Sequence, residues 1–378
     1  MVLKLTAKNI KMHKLLISLA IPLVFVLTSA RLVPARLNHS DRPAPEREAG
    51  KPKNIIIVIV DGVGASEWSA AAAANGGSLQ VGKFPYTGLM KIWHDDNMTP
   101  DDCANASALA TGLKGTDGVL CLNDHGGKAK TLAEYARDRK MLTALVSVSS
   151  VTSTSAAAFF VHEDLGVNDE KIAAGISRFR PDILIGGGEK YFSNRADKKI
   201  LLDSFRSRGY EMINKQRKAE RFTSSKTFGL ISDDALLPVT KRGNFLSEAC
   251  LSAVRNMAPY FEGYFMIIHS GQVEQAVKSN TPAYMCEEIK DVNKALTALY
   301  QQAPNMDETL VVVLSPSETG GFVLNGGSLK NGSISGSWAS QKATAAMVPV
   351  FASGPGAEKF AGMYDNTDVF SKILSLMR

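Results

Sequence analysis

Asp61, the pair Asp101-Asp102, His269 and Glu274 are the residues of this chain whose types and settings admit chemistry. Asp61 closes an apolar run and precedes Gly62 in VDGVG, where it is either a turn residue or a ligand for a cation. Asp101 and Asp102 open the helical pattern DDCANASALATG. A carboxylate there caps free N–H groups and gains about 0.3–1 kcal/mol from the positive end of the helix dipole. His269 ends the run YFMIIH, and Glu274 and Lys278 follow in GQVEQAVKSN. Asp61, Asp102 and His269 together admit hydrolysis, whereas a lone histidine at a strand end is more often hydrogen-bonded structure. Cys103, Cys121, Cys250 and Cys286 lack the CxxC spacing of a zinc site and either pair or stay free.

The elements that must position these residues are legible as apolar runs. IIIVIV (55–60), TALVSV (143–148), DILIGGG (182–188), YFMIIH (264–269) and TLVVVLS (309–315) alternate with helical patterns. Near-continuous apolar runs of this kind predict parallel strands buried on both faces. Residues 129–139 and 285–303 carry apolar side chains at helical intervals and predict core-facing helices. The expected fold is α/β, a mixed and mostly parallel central sheet between helical layers. Ligands of such sheets gather at the carboxyl ends of strands, which places Asp61, Ser149 to Ser155, His269 and Pro316 around one cavity. The basic stretch 189–230 reads as a solvated surface helix and loop.

Lysines at 4, 8, 11 and 14 precede LLISLAIPLVFVLTSA, so residues 1–30 read as a secretory signal peptide. The run is shorter than the roughly 20 residues that span a bilayer, and Pro22 interrupts it. Residues 31–53 are Pro-rich and charged and read as a flexible leader, leaving 54–378 as one domain without internal repeats. The formal charge of +6 is partly that of the first segment, and the remaining cations are interspersed with acids, so no nucleic-acid footprint is expected.

Taken together, NIIIVIVDGVG (54–64), DDCANASALATG (101–112), VTSTSAAAFFVH (151–162), DILIGGGEKYF (182–192), TLVVVLSPSETGG (309–321) and VPVFASGPGAEKF (348–360) resemble the alkaline phosphatase family, in order and over nearly the whole chain after Asn54. The resemblance implies that family's fold, and a site for zinc, magnesium and a serine nucleophile. Asp61 matches the metal-bridging aspartate. The nucleophilic serine falls on Asp102, which cannot form a phosphoserine, and the phosphate-clamping arginine falls on Gly166. At the third metal, Ser153 stands for a His or Asp, Ser155 still offers an oxygen, and the magnesium glutamate becomes His269. The zinc ligands become Glu274, Lys278, Pro316, Ser317 and Ala343. Zinc needs three or four N, O or S donors, so neither cofactor is expected.

Lys278 then either stands in for a metal beside Glu274 or Asp61, or points to solvent. The reading is an exported, catalytically degenerate member that binds a small anionic or glycan-like ligand or a protein partner. The alternative is a metal-dependent phosphomonoester hydrolase of weak or altered activity, with zinc and magnesium. A third is a homodimer, or a subunit pairing with an active paralogue.

Overall fold

A computed structural model describes residues 50–94, 97–164 and 168–377; the proposed signal segment and most of the leader lie outside these residues. Glu46–Arg378 is one compact unit. Its strands are β1 (Asn54–Val60), β2 (Tyr86–Lys91), β3 (Leu142–Ser150), β4 (Ile183–Gly187), β5 (Glu211–Ile213), β6 (Thr227–Leu230), β7 (Tyr264–Ser270) and β8 (Thr309–Leu314). There follow β9 (Glu318–Thr319), β10 (Phe322–Ser328), β11 (Ser333–Trp338), β12 (Ala343–Thr344), β13 (Val348–Ser353) and β14 (Gly362–Asp365).

Ten of them form one sheet in the order β14-β2-β13-β8-β1-β7-β3-β4-β6-β5. The five strands expected from the sequence are its contiguous centre, β8-β1-β7-β3-β4, all parallel. β13 runs antiparallel to both β8 and β2, so the sheet is mixed.

Side chains of β1 alternate between two cores, which is why its run is apolar at every position. Ile55, Ile57 and Ile59 join the face covered by the helices Asp102–Thr111, Leu132–Asp138, Asp169–Phe179 and Asn366–Leu376. Ile56, Val58 and Val60 join the face covered by Ala65–Ala74, Phe245–Met257 and Pro282–Gln302. Each is at most 1% exposed, and burying such a side chain stabilises by about 1.5–3 kcal/mol. The two helices expected from periodicity are those at Leu132–Asp138 and Pro282–Gln302.

The basic stretch 189–230 departs from its expectation. It contributes β5 and β6 to the sheet, and Phe192, Phe205 and Phe228 pack together beneath its charged surface. Isolated aromatics among many lysines and arginines concealed two short strands. All four cysteines are buried and free. Among the described residues no helix is long and apolar enough to cross a membrane.

Candidate functional site

The loops that leave β1, β3, β7 and β8 at their carboxyl ends meet the start of the helix Asp102–Thr111. Asp61 leaves β1 into Gly62, whose φ of +77° favours glycine, and a Cβ there would lie 2.9 Å from Thr319 Oγ1 and 3.3 Å from Glu274 Cγ. Thr319 donates its N–H to Gly62 O at 3.2 Å, and Val63 donates its N–H to Ser315 Oγ at 3.3 Å. The loop after β8 is thereby laced to the loop after β1.

Asp61 is 4% exposed, and its Oδ2 lies 2.8 Å from His269 Nε2. The other ring nitrogen, Nδ1, lies 2.9 Å from Ser147 Oγ, which also accepts the Ser149 N–H at 2.9 Å. His269 pairs in register with Ile59 on one side and Ser147 on the other, so the imidazole bridges across the sheet. The order Asp, His, Ser resembles a hydrolytic triad. Ser147 is fully buried between strands, however, and no substrate reaches its hydroxyl. This is the hydrogen-bonded structural histidine, with Ser147 fixing the ring.

At the helix start the two aspartates divide the work. Asp101 is the cap: its Oδ1 accepts the Ala104 N–H at 2.8 Å and its Oδ2 the Gly118 N–H at 2.5 Å. Asp102 is left facing the site and accepts the Ser317 hydroxyl at 3.1 Å. Burial first, then the charge of Asp61, pushes Asp102 up to about 6, although the Ser317 hydroxyl opposes this. Burial, then Asp102 and Asp61, pushes Glu274 up to about 8. The three acids act on one another, and among the described residues no lysine or arginine cation is paired with them.

Lys278 does not supply that cation. It ends the short helix Val273–Lys278 with its side chain exposed, and only its distant charge acts on Glu274. One helical turn after Glu274, it has the length to reach water, and solvation wins over pairing. The solvent-facing reading of the sequence is the one that holds.

Of the other positions, Ser155 is buried and its Oγ, like Asp61 Oδ1, has no hydrogen-bond partner among the described residues. Ser153 is half-buried at the start of the turn Thr154–Ala157. Pro316 and Ser317 are buried in the loop after β8, and half-buried Ala343 pairs with Thr319 across β12 and β9. Gly166 lies outside the described residues.

Zinc needs three or four converging donors. Among the described residues no three His, Cys, Asp or Glu side chains converge in that way, and His269 turns Nε2 onto Asp61 rather than into the cleft. The residues present do not fit a zinc ion.

Sequence reasoning passed over Ser147 and the buried pair Glu67 and Glu318. The alternation of Ser147 and Ser149 inside an otherwise apolar strand was the available signal for the first. Glu67, fully buried in the helix Ala65–Ala74, accepts the Gly64 N–H at 3.0 Å. Burial, then the neighbouring Glu318, pushes its carboxyl up to about 8.

Comparison with known proteins follows the same lines. Residues 52–337 match the family model for alkaline phosphatase. Alkaline phosphatase 4 of Bacillus subtilis (strain 168) is 25% identical, over 95% of this chain and 96% of its own length. The alkaline phosphatase of Escherichia coli (strain K12) is 23% identical, over 91% of this chain and 88% of its own. The solved alkaline phosphatase of the Antarctic bacterium TAB5 superposes with a TM-score of 0.80 at 29% identity, covering 87% of this chain and 99% of that one.

Proposed function

The chain belongs to the alkaline phosphatase family, and we propose that it serves as a binding protein on that family's scaffold, without phosphatase activity. The observation that carries this reading is the 2.8 Å contact between His269 Nε2 and Asp61 Oδ2. It commits to an imidazole the carboxylate that the family turns toward its metals. By the sequence resemblance the nucleophilic serine falls on the carboxylate Asp102, whose neighbours include Asp61 and Asp101. Burial first, and then their mutual repulsion, raise Asp102 to about 6 and Glu274 to about 8, so Glu274 keeps its proton at neutral pH and neither acid has a lysine or arginine paired with it among the described residues. Such a site offers a phosphate dianion no cation to hold it.

The ligand is therefore an uncharged, hydroxyl-rich molecule of glycan type, approaching where Asp102, Ser153, Thr154 and Glu274 are only half-buried. The anionic ligand admitted by the sequence is set aside on the same charge argument. The lysine-rich start followed by an apolar run supports export as the setting.

Family membership favours the rival reading, a metal-dependent phosphomonoester hydrolase of weak or altered activity. Elemental analysis of the purified protein, with a phosphomonoester assay in zinc and magnesium, separates the two. The expected result is no stoichiometric metal and no turnover, with none restored by Asp102→Ser alone because nucleophile and ligands act as a unit. Stoichiometric zinc together with turnover that disappears in Asp61→Ala would establish the hydrolase instead.

A further inference from the structure

A cleft of about 180 Å³ lies against the helices Leu132–Asp138 and Asp169–Phe179 and shares no residue with the site above. Phe160, Val161 and Phe179 give it apolar walls, and Lys128, Arg137 and Arg178 bring three cations to it. Glu134 is the acid in its lining, and its oxygens are already engaged. Its Oε2 accepts the Thr131 N–H at 3.0 Å and lies 3.1 Å from His162 Nε2, while Arg137 Nη2 stands 4.0 Å from Oε1. Burial pushes Glu134 upward, but these hydrogen bonds and charges hold it below the ordinary carboxylate range. His162 is engaged at both ring nitrogens, since Nδ1 lies 3.0 Å from the Cys121 carbonyl.

The cations are less fully committed. Arg137 stacks 4.2 Å over the Phe179 ring and gives one N–H to Phe179 O at 3.2 Å, which leaves donors of its fork unused. Arg178 pairs with Glu163 through one nitrogen. Lys128 is exposed and has no side-chain partner among the described residues. Unspent guanidinium and ammonium donors around a small, apolar-walled cleft suit a compact anion with several acceptor oxygens. At roughly 30 Å³ per water, the space holds one such group with part of its hydration shell.

We propose that this cleft is a binding site for a small tetrahedral oxyanion of the phosphate or sulfate class. Inorganic phosphate and inorganic sulfate, titrated into the full chain by calorimetry, are the probes. One saturable site is expected, weakening as ionic strength rises. Lys128→Gln with Arg178→Gln should weaken it about tenfold or more, whereas Lys278→Met, an exposed lysine beside the other site, should leave it unchanged. Lys128 and Arg178 are exposed, so the double variant keeps its fold, which its melting curve verifies. The single Lys128→Gln gives a second reading, with a smaller loss in the same direction. No saturable heat up to about 10 mM, or an affinity unchanged in the double variant, overturns the proposal. Either outcome leaves the reading of the Asp61 site standing, because the two share no residue.

Discussion

Two groups of acids in this molecule are treated in opposite ways. On the helix Pro282–Gln302, Glu288 and Asp291 are fully buried, and Arg242, 2% exposed, answers both. Its Nη2 lies 2.5 Å from Glu288 Oε2 and 2.7 Å from Asp291 Oδ2, and Nη1 reaches Glu288 Oε1 at 3.2 Å. The Val239 N–H adds a further bond to Glu288 Oε1 at 2.8 Å. Asp61, Asp102 and Glu274 receive an imidazole and a hydroxyl in place of any such guanidinium. For Glu288 and Asp291 the chain supplies a fixed cation with several donors. Around Asp61 it supplies no comparable cation among the described residues.

The comparison is tested most severely by Arg242→Met. It strands two buried carboxylates and should cost roughly 3–5 kcal/mol, read from urea or thermal unfolding. Arg242→Met with Glu288→Leu and Asp291→Leu should recover most of that loss, since an apolar replacement of a buried ion network is often near neutral. A single variant as stable as the parent would show that the two clusters do not differ as described.

A smaller effect concerns pH. Glu274 is raised from 4.5 to about 8, so the folded state holds this proton more tightly than the unfolded chain. Its stabilising contribution is complete below about pH 4.5 and is lost as pH rises through about 8. Asp102, raised from 3.8 to about 6, and Glu67, raised from 4.5 to about 8, act with the same sign. The unfolding free energy should therefore fall between about pH 5 and 9, by at most about 1.4 kcal/mol per pH unit for each group, and the melting temperature with it. For half-buried Glu274 solvent screening reduces that figure. Glu274→Gln should flatten the upper part of the curve; an unchanged slope would mean that its charge is already compensated.

The smallest effect is that of Lys278→Met. An exposed lysine without an ion pair among the described residues should change stability by no more than about 0.5 kcal/mol. A loss of several kcal/mol, relieved by adding Glu274→Gln, would return this lysine to the interior of the site.

The central sheet was legible because it is buried on both faces, which makes most positions of β8, β1, β7, β3 and β4 apolar. The edge strands β5 and β14, and β2 beside the edge, were not, since one or both of their faces meet water and their sequences, such as YTGLMK, carry little pattern. At the site, chain order and strand ends were enough to gather Asp61, His269 and Pro316 in one region. The sequence left open which cation answers the acids, because helical spacing put Lys278 near Glu274 without fixing the direction of a long, flexible side chain. The bond from His269 to Ser147 depends on the register of two strands far apart in the chain, which local pattern does not report.

The topology also sets an order of assembly. β1 lies between β7 and β8, so both of its neighbours are made long after it. Asp61 and His269 are separated by 208 residues, and Asn54 and Thr309, which bond across β1 and β8, by 255. At a synthesis rate of about 5–20 residues per second, β1 waits on the order of 10–50 s with both edges unpaired. An apolar strand in that state is a template for pairing with other chains. The first strand to be made is therefore among the last to be enclosed, and whatever escorts the growing chain must cover β1 until β8 arrives.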